Sequence, residues 1–144
     1  MKISRKVLEK LKNRIDLQCN FEIGGILGGI DGVVSEVFID IKKLNNTHCK
    51  YIPDVLLLNQ VIASWEENEQ YQFVGMFHTH FRDGKLSRQD KEYINEIFEC
   101  MPTKIENLYF PIVVLPKLDI YIYKAIRQKK SILIKSDILE IVDK

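Results

Sequence analysis

Residues 73–90, FVGMFHTHFRDGKLSRQD, constrain this chain more than any other stretch. The run opens with apolar, β-prone residues that occupy both faces of an extended segment, as in a strand covered from two sides. At its end His78 and His80 stand two positions apart. Extended residues at that spacing point to one face, where two imidazoles can share one metal ion. A short polar loop containing Gly84 follows, and Ser87 and Asp90 then sit three apart at the head of a helical segment, returning a carboxylate toward the strand end. Two histidines and an aspartate, with a fourth position left for water, are the usual composition of a catalytic zinc site. Each feature also has a plainer reading. A lone His-x-His occurs on strand ends without metal, and Ser87 with Asp90 satisfies a helix-capping arrangement.

The whole chain bounds what this stretch can belong to. Its 144 residues, 46% of them hydrophobic and with no Pro/Ser-rich linker, suit one domain spanning 1–144 with a substantial core. Twenty-one basic and twenty acidic residues leave a formal charge of +1, so charge makes no case for nucleic acid or a membrane surface as partner. The N-terminal segment is interrupted by Lys and Arg, and nowhere do about eighteen apolar residues run together, so the expectation is a soluble, cytoplasmic protein. Cys19, Cys49 and Cys100 are an odd number at wide spacing, which suits reduced structural thiols; His48-Cys49 is at most a weak adventitious metal site.

In chain order, Ile3, Val7, Leu8, Leu11 and Ile15 recur near helical spacing and predict a first helix ending before Asn20. Residues 21–30, FEIGGILGGI, read as a glycine-punctuated strand headed by Glu22, joined through Asp31-Gly32 to a second strand at 33–41. Asp-Gly between apolar runs is a strong hairpin signal. The density of Gly24, Gly25, Gly28 and Gly29 asks for a bulge or a close backbone approach. A loop at 44–51 precedes a helix opened by Pro53-Asp54, with Val55, Leu58, Ile62 and Trp65 in its stripe. The central strand covers 71–80 and a third helix 87–101. Residues 108–115 and 118–126 predict two more strands, with Pro111 marking an edge or bulge, and 131–134 a last short one. The sum is an α/β layered domain with a mixed sheet.

Several His-x-His metallohydrolase patterns do not fit. A metallo-β-lactamase-like site wants Asp two residues after the second His, and here Phe81, Arg82, Asp83 and Gly84 follow His80. A (β/α)₈ amidohydrolase needs about 250 residues and more histidines than His48, His78 and His80. Zinc deaminases require Glu two residues after a His and a Pro-Cys-x-x-Cys, both absent around these residues.

The Glu22-Ile23-Gly24-Gly25-Ile26-Leu27-Gly28-Gly29 run, followed by His78-Thr79-His80 and Ser87-Arg88-Gln89-Asp90, resembles the JAMM signature of the JAB/MPN metallopeptidases. The likeness spans about residues 21–98. It implies a mixed, mostly antiparallel central sheet flanked by helices, a JAB/MPN-like and cytidine-deaminase-like arrangement. It also implies Zn2+ held by His78, His80 and Asp90, Glu22 as general base toward the attacking water, and Ser87 as oxyanion stabiliser. Two departures stand out: Phe81 occupies the position after the second His where the family usually has Pro, and six residues rather than about seven separate His80 from Ser87.

By that resemblance the expected activity is zinc-dependent hydrolysis of a peptide or isopeptide bond, after the C-terminal Gly-Gly of a ubiquitin-like or sulfur-carrier protein. The expected recognition mode is strand addition of an extended tail beside Gly24 and Gly25. The alternative is a non-catalytic MPN-type interaction scaffold, and a third reading is a small-molecule or DNA-associated relative of the same fold.

Overall fold

The computed structural model describes residues 1–15, 20–40 and 50–143. Among the described residues nine strands form one sheet: β1 (Lys2–Ser4), β2 (Gly24–Ile30), β3 (Val33–Asp40), β4 (Gln72–His80), β5 (Asn107–Tyr109), β6 (Ile112–Val114), β7 (Asp119–Arg127), β8 (Ile132–Asp137) and β9 (Glu140–Val142). The described residues also form the α-helices α1 (Arg5–Arg14), α2 (Val55–Ser64) and α3 (Arg88–Cys100), with a π-helical turn at Trp65–Glu69 continuing α2. Across the sheet the lanes run β9, β1, β3, β2, β4, then β5 and β6 sharing one lane, then β7 and β8. Five of the nine pairings, including all the long ladders, are antiparallel, so the sheet is mixed and mostly antiparallel.

Alternation along the strands divides the interior into two cores. On one side α1 packs Val7, Leu8 and Leu11 against Leu27, Val37 and Phe77; on the other, α2 and α3 cover Ile26, Phe73 and Met76. Ile26 and Leu27, like Met76 and Phe77, thus point to opposite faces. This is why β4 is apolar from Phe73 to Phe77: both of its faces are covered there.

Local chemistry sets the element ends. The Ser4 hydroxyl accepts the Val7 N–H at 3.2 Å and starts α1, and Asp54 accepts the Leu57 N–H at 3.3 Å to start α2. The Asp31-Gly32 turn has φ of 52° and 77°, the two positive values that a tight hairpin twisted like its strands requires, and it joins β2 to β3 as expected.

Several expectations need correction. Ile3 belongs to β1, paired with Val34 and Ile141, because the helix begins only after the Ser4 cap. The β9 partner of β1 was not foreseen. Residues 108–115 form two strands rather than one, broken at Phe110-Pro111 inside the sheet, where the Pro111 carbonyl accepts the His78 N–H at 3.2 Å. Cys100 is exposed rather than packed, while Cys19, Cys49, His48 and most of the 44–51 loop lie outside the described residues.

The glycine run has a packing explanation. A Cβ on Gly25 would stand 1.9 Å from the Phe38 carbonyl oxygen, and one on Gly24 would stand 2.2 Å from the Tyr51 ring. Moreover, β2 is paired along its length with β3 on one side and β4 on the other. It offers no free edge, so a peptide cannot add beside Gly24 and Gly25, contrary to the expectation above.

Candidate metal centre

β4 ends with Met76, His78 and His80 on the face covered by α2 and α3, which directs both imidazoles toward the start of α3. The Nε2 atoms of His78 and His80 stand 2.8 Å apart. Asp90 closes the group, its Oδ1 lying 3.3 Å from His78 Nε2 and its Oδ2 3.3 Å from His80 Nε2. The six-residue loop before Ser87 therefore still delivers the carboxylate to the histidine pair.

Asp90 is fixed by the helix it begins. The Ser87 N–H donates to Asp90 Oδ2 at 2.8 Å, and the Asp90 N–H donates to Ser87 Oγ at 3.0 Å, a complete capping box. The capping reading of these two residues is thus correct, and it is compatible with ligation because the same carboxylate faces the imidazoles. The His80 ring is oriented from its far side: the Asp83 carbonyl can only accept, so Nδ1 carries the hydrogen in their 3.0 Å contact, and Nε2, which faces Asp90, is the atom that would ligate a metal on giving up its proton. Burial pushes the Asp90 carboxyl up, but the hydrogen bonds from His78 and His80 outweigh it and hold the group well below the usual carboxylate range. Reciprocally, the bond to Asp90 raises His80, against the effect of burial.

One nitrogen from each histidine and one Asp90 oxygen lie within 4.8 Å of one another, so a single ion can reach all three. Each side chain is at most 20% exposed. Two imidazoles and one carboxylate match zinc's preferred donors and leave an open coordination position.

Glu22 precedes β2 and lines the same cavity as His78 and Asp90. Two anchors hold it there, and sequence reasoning named neither. Thr79, fully buried between the two histidines on the opposite face, accepts the Ile23 N–H on its hydroxyl at 2.8 Å and donates its own N–H to the Ile23 carbonyl at 2.8 Å. From the other side the Tyr51 N–H donates to Glu22 Oε1 at 3.2 Å. Tyr51 is held by Asp40, 3% exposed, which accepts its hydroxyl at 2.9 Å and the Asp54 N–H at 3.0 Å. Burial, with the Asp40 carboxylate beside it, pushes the Tyr51 phenol far above its ordinary range, so it remains a donor. A buried threonine inside a His-x-His was the available signal for the first anchor; Asp40 ends an alternating strand and carried none.

No protein-family model and no curated protein sequence matches the chain. Solved structures do. A protein from Desulfitobacterium hafniense, known from its solution structure, superposes with a TM-score of 0.69 at 16% identity, covering 99% of this chain and 93% of that one. A JAB1/MPN domain protein from Archaeoglobus fulgidus superposes with a TM-score of 0.54 at 17% identity, covering 99% of this chain and all of that one, 100%. At such identities the likeness speaks for the fold. The chain is an α/β domain with an MPN-domain structural neighbour, and it brings His78, His80 and Asp90 together as a possible metal site.

Proposed function

We propose that this chain is a zinc-dependent hydrolase of amide bonds, peptide or isopeptide, of the JAMM type. The convergence of His78, His80 and Asp90 beside a cavity that Glu22 also lines is the observation that carries the reading. When bound, zinc supplies a Lewis acid that polarises the scissile carbonyl and acidifies water. Glu22, oriented by the Tyr51 N–H, takes a proton from the attacking water and passes it to the leaving amine. Ser87 accepts from Asp90 through an oxygen lone pair, which keeps its O–H available to donate to the developing oxyanion. A donor of that kind is worth about 3 kcal/mol in the transition state.

The acyl side of the cut is proposed to be the Gly-Gly tail of a ubiquitin-like or sulfur-carrier protein, on the strength of the motif resemblance. Such a tail runs past the metal site rather than along β2, whose two edges are taken. The test is to incubate zinc-loaded protein with ubiquitin-like proteins from its own genome, each extended past Gly-Gly by a short peptide or joined to a lysine. Zinc-dependent release is expected. If zinc-loaded protein cuts none of them, the tail assignment is lost; if the protein cannot be loaded with zinc at micromolar concentration, the chain is instead a non-catalytic scaffold of the MPN type.

A further inference from the structure

A cavity of about 290 Å3 opens beside the metal ligands. An apolar cavity of roughly 150 Å3 already accommodates a benzene ring, so this one has room for a large side chain. Met76, Leu86, Ile94 and Phe110 contribute its apolar walls. Ile52, 49% exposed, carries the apolar surface outward at the rim. The Lys50 ammonium, also on the lining, is engaged by the Gln89 side-chain oxygen. Against those apolar walls a polar side chain gives up hydration, whereas an aliphatic or aromatic one gains by burial.

The cavity's polar members decide which half of the substrate it faces. Glu22, His78 and Asp90 line it, whereas His80 and Ser87 do not. In amide hydrolysis the carbon–nitrogen bond breaks as a carbon–oxygen bond forms with water, and one water proton travels through the general base to the leaving nitrogen. With Glu22 as that base, the leaving nitrogen must come within hydrogen-bond reach of Glu22, on the cavity side. The developing oxyanion belongs on the Ser87 side.

Resting on the hydrolase reading above, we propose that the cavity receives the side chain of the residue that follows the scissile bond, and that this residue is bulky and apolar: Phe, Tyr, Trp, Leu or Met. The enzyme then selects its substrate on the leaving-amine side. A Gly-Gly sequence on the acyl side makes no demand on this cavity, so the two requirements are independent.

Two measurements on the zinc-loaded protein test this. The first follows the Met76 methyl by NMR during titration with L-phenylalaninamide or glycinamide, which mimic leaving groups with and without a side chain. Met76 is expected to shift with phenylalaninamide at a concentration at least about tenfold lower than with glycinamide, and Leu86→Trp, which fills the cavity, abolishes the shift. The second maps cuts in a peptide library carrying Gly-Gly followed by every residue type. Large apolar residues after the cut are expected to be favoured by at least about tenfold over Gly, Asp and Lys. Cutting without such a preference, or a Met76 methyl silent to both amides, overturns the assignment. A library left uncut while Met76 responds to phenylalaninamide alone sinks the hydrolase reading and with it the leaving-group role, and leaves only a cavity selective for a large apolar side chain.

Discussion

Thr79 and Ile23 exchange two hydrogen bonds, hydroxyl from amide and amide to carbonyl, each 2.8 Å long, and this clasp fixes Glu22 beside the histidines that flank Thr79. Thr79→Val keeps the shape but leaves the buried Ile23 N–H without its acceptor, at a cost of about 1–3 kcal/mol. Urea unfolding should show that loss. Zinc content should stay intact while kcat falls, because Glu22 is no longer held, and Thr79→Ser should restore both.

Zinc should bind at about one ion per chain, and His78→Ala or His80→Ala should remove it, since each deletes one of three protein ligands. Asp90 separates ligation from capping. Asp90→Asn keeps an acceptor for the Ser87 N–H but weakens zinc, whereas Asp90→Ala also removes that acceptor, worth about 0.5–1.5 kcal/mol, while the Ser87 hydroxyl still caps the helix. Metal analysis with melting curves recorded in chelator resolves the two effects. Zinc retained in His80→Ala at wild-type affinity would contradict the ligand assignment.

Glu22→Gln should keep both fold and metal while turnover falls by at least about a hundredfold, because an amide can accept the Tyr51 N–H yet cannot carry the proton. Single-turnover kinetics on a cleaved fusion is the measurement; undiminished turnover means that another group is the base.

Gly25→Ala should cost more than about 3 kcal/mol, an overpacking penalty at the high end, since its Cβ would lie 1.9 Å from a backbone oxygen in a paired strand and no rotamer change relieves it. Loss of soluble protein or a collapsed melting temperature is expected, not a selective defect in substrate binding. A well-folded Gly25→Val protein that holds zinc but fails on tail fusions would restore the groove reading that the pairing of β2 argues against.

Much of this protein was legible in its sequence because the signals were local. The His-x-His spacing places two rings on one strand face, the Ser87-x-x-Asp90 pattern caps a helix, Asp31-Gly32 supplies two residues suited to positive φ, and the apolar run before His78 announces a strand covered twice. Those are consequences of a repeat of two, a helix turn and steric allowance, all readable within a few residues. What required the tertiary structure was long-range. The three-residue strand β1 and its partner β9 lie more than a hundred residues apart and are too short to announce themselves. Whether the glycines of β2 served substrate or packing depended on what stands beside them, the Phe38 carbonyl and the Tyr51 ring. Likewise the sequence named Glu22, His78, His80, Ser87 and Asp90, but only the folded chain could show that Thr79 and Tyr51 anchor the Glu22 segment, and that an apolar cavity opens between Glu22 and the His78 and Asp90 side chains. Periodicity fixes which face a residue takes; what it meets there is decided by the packing of segments distant in sequence.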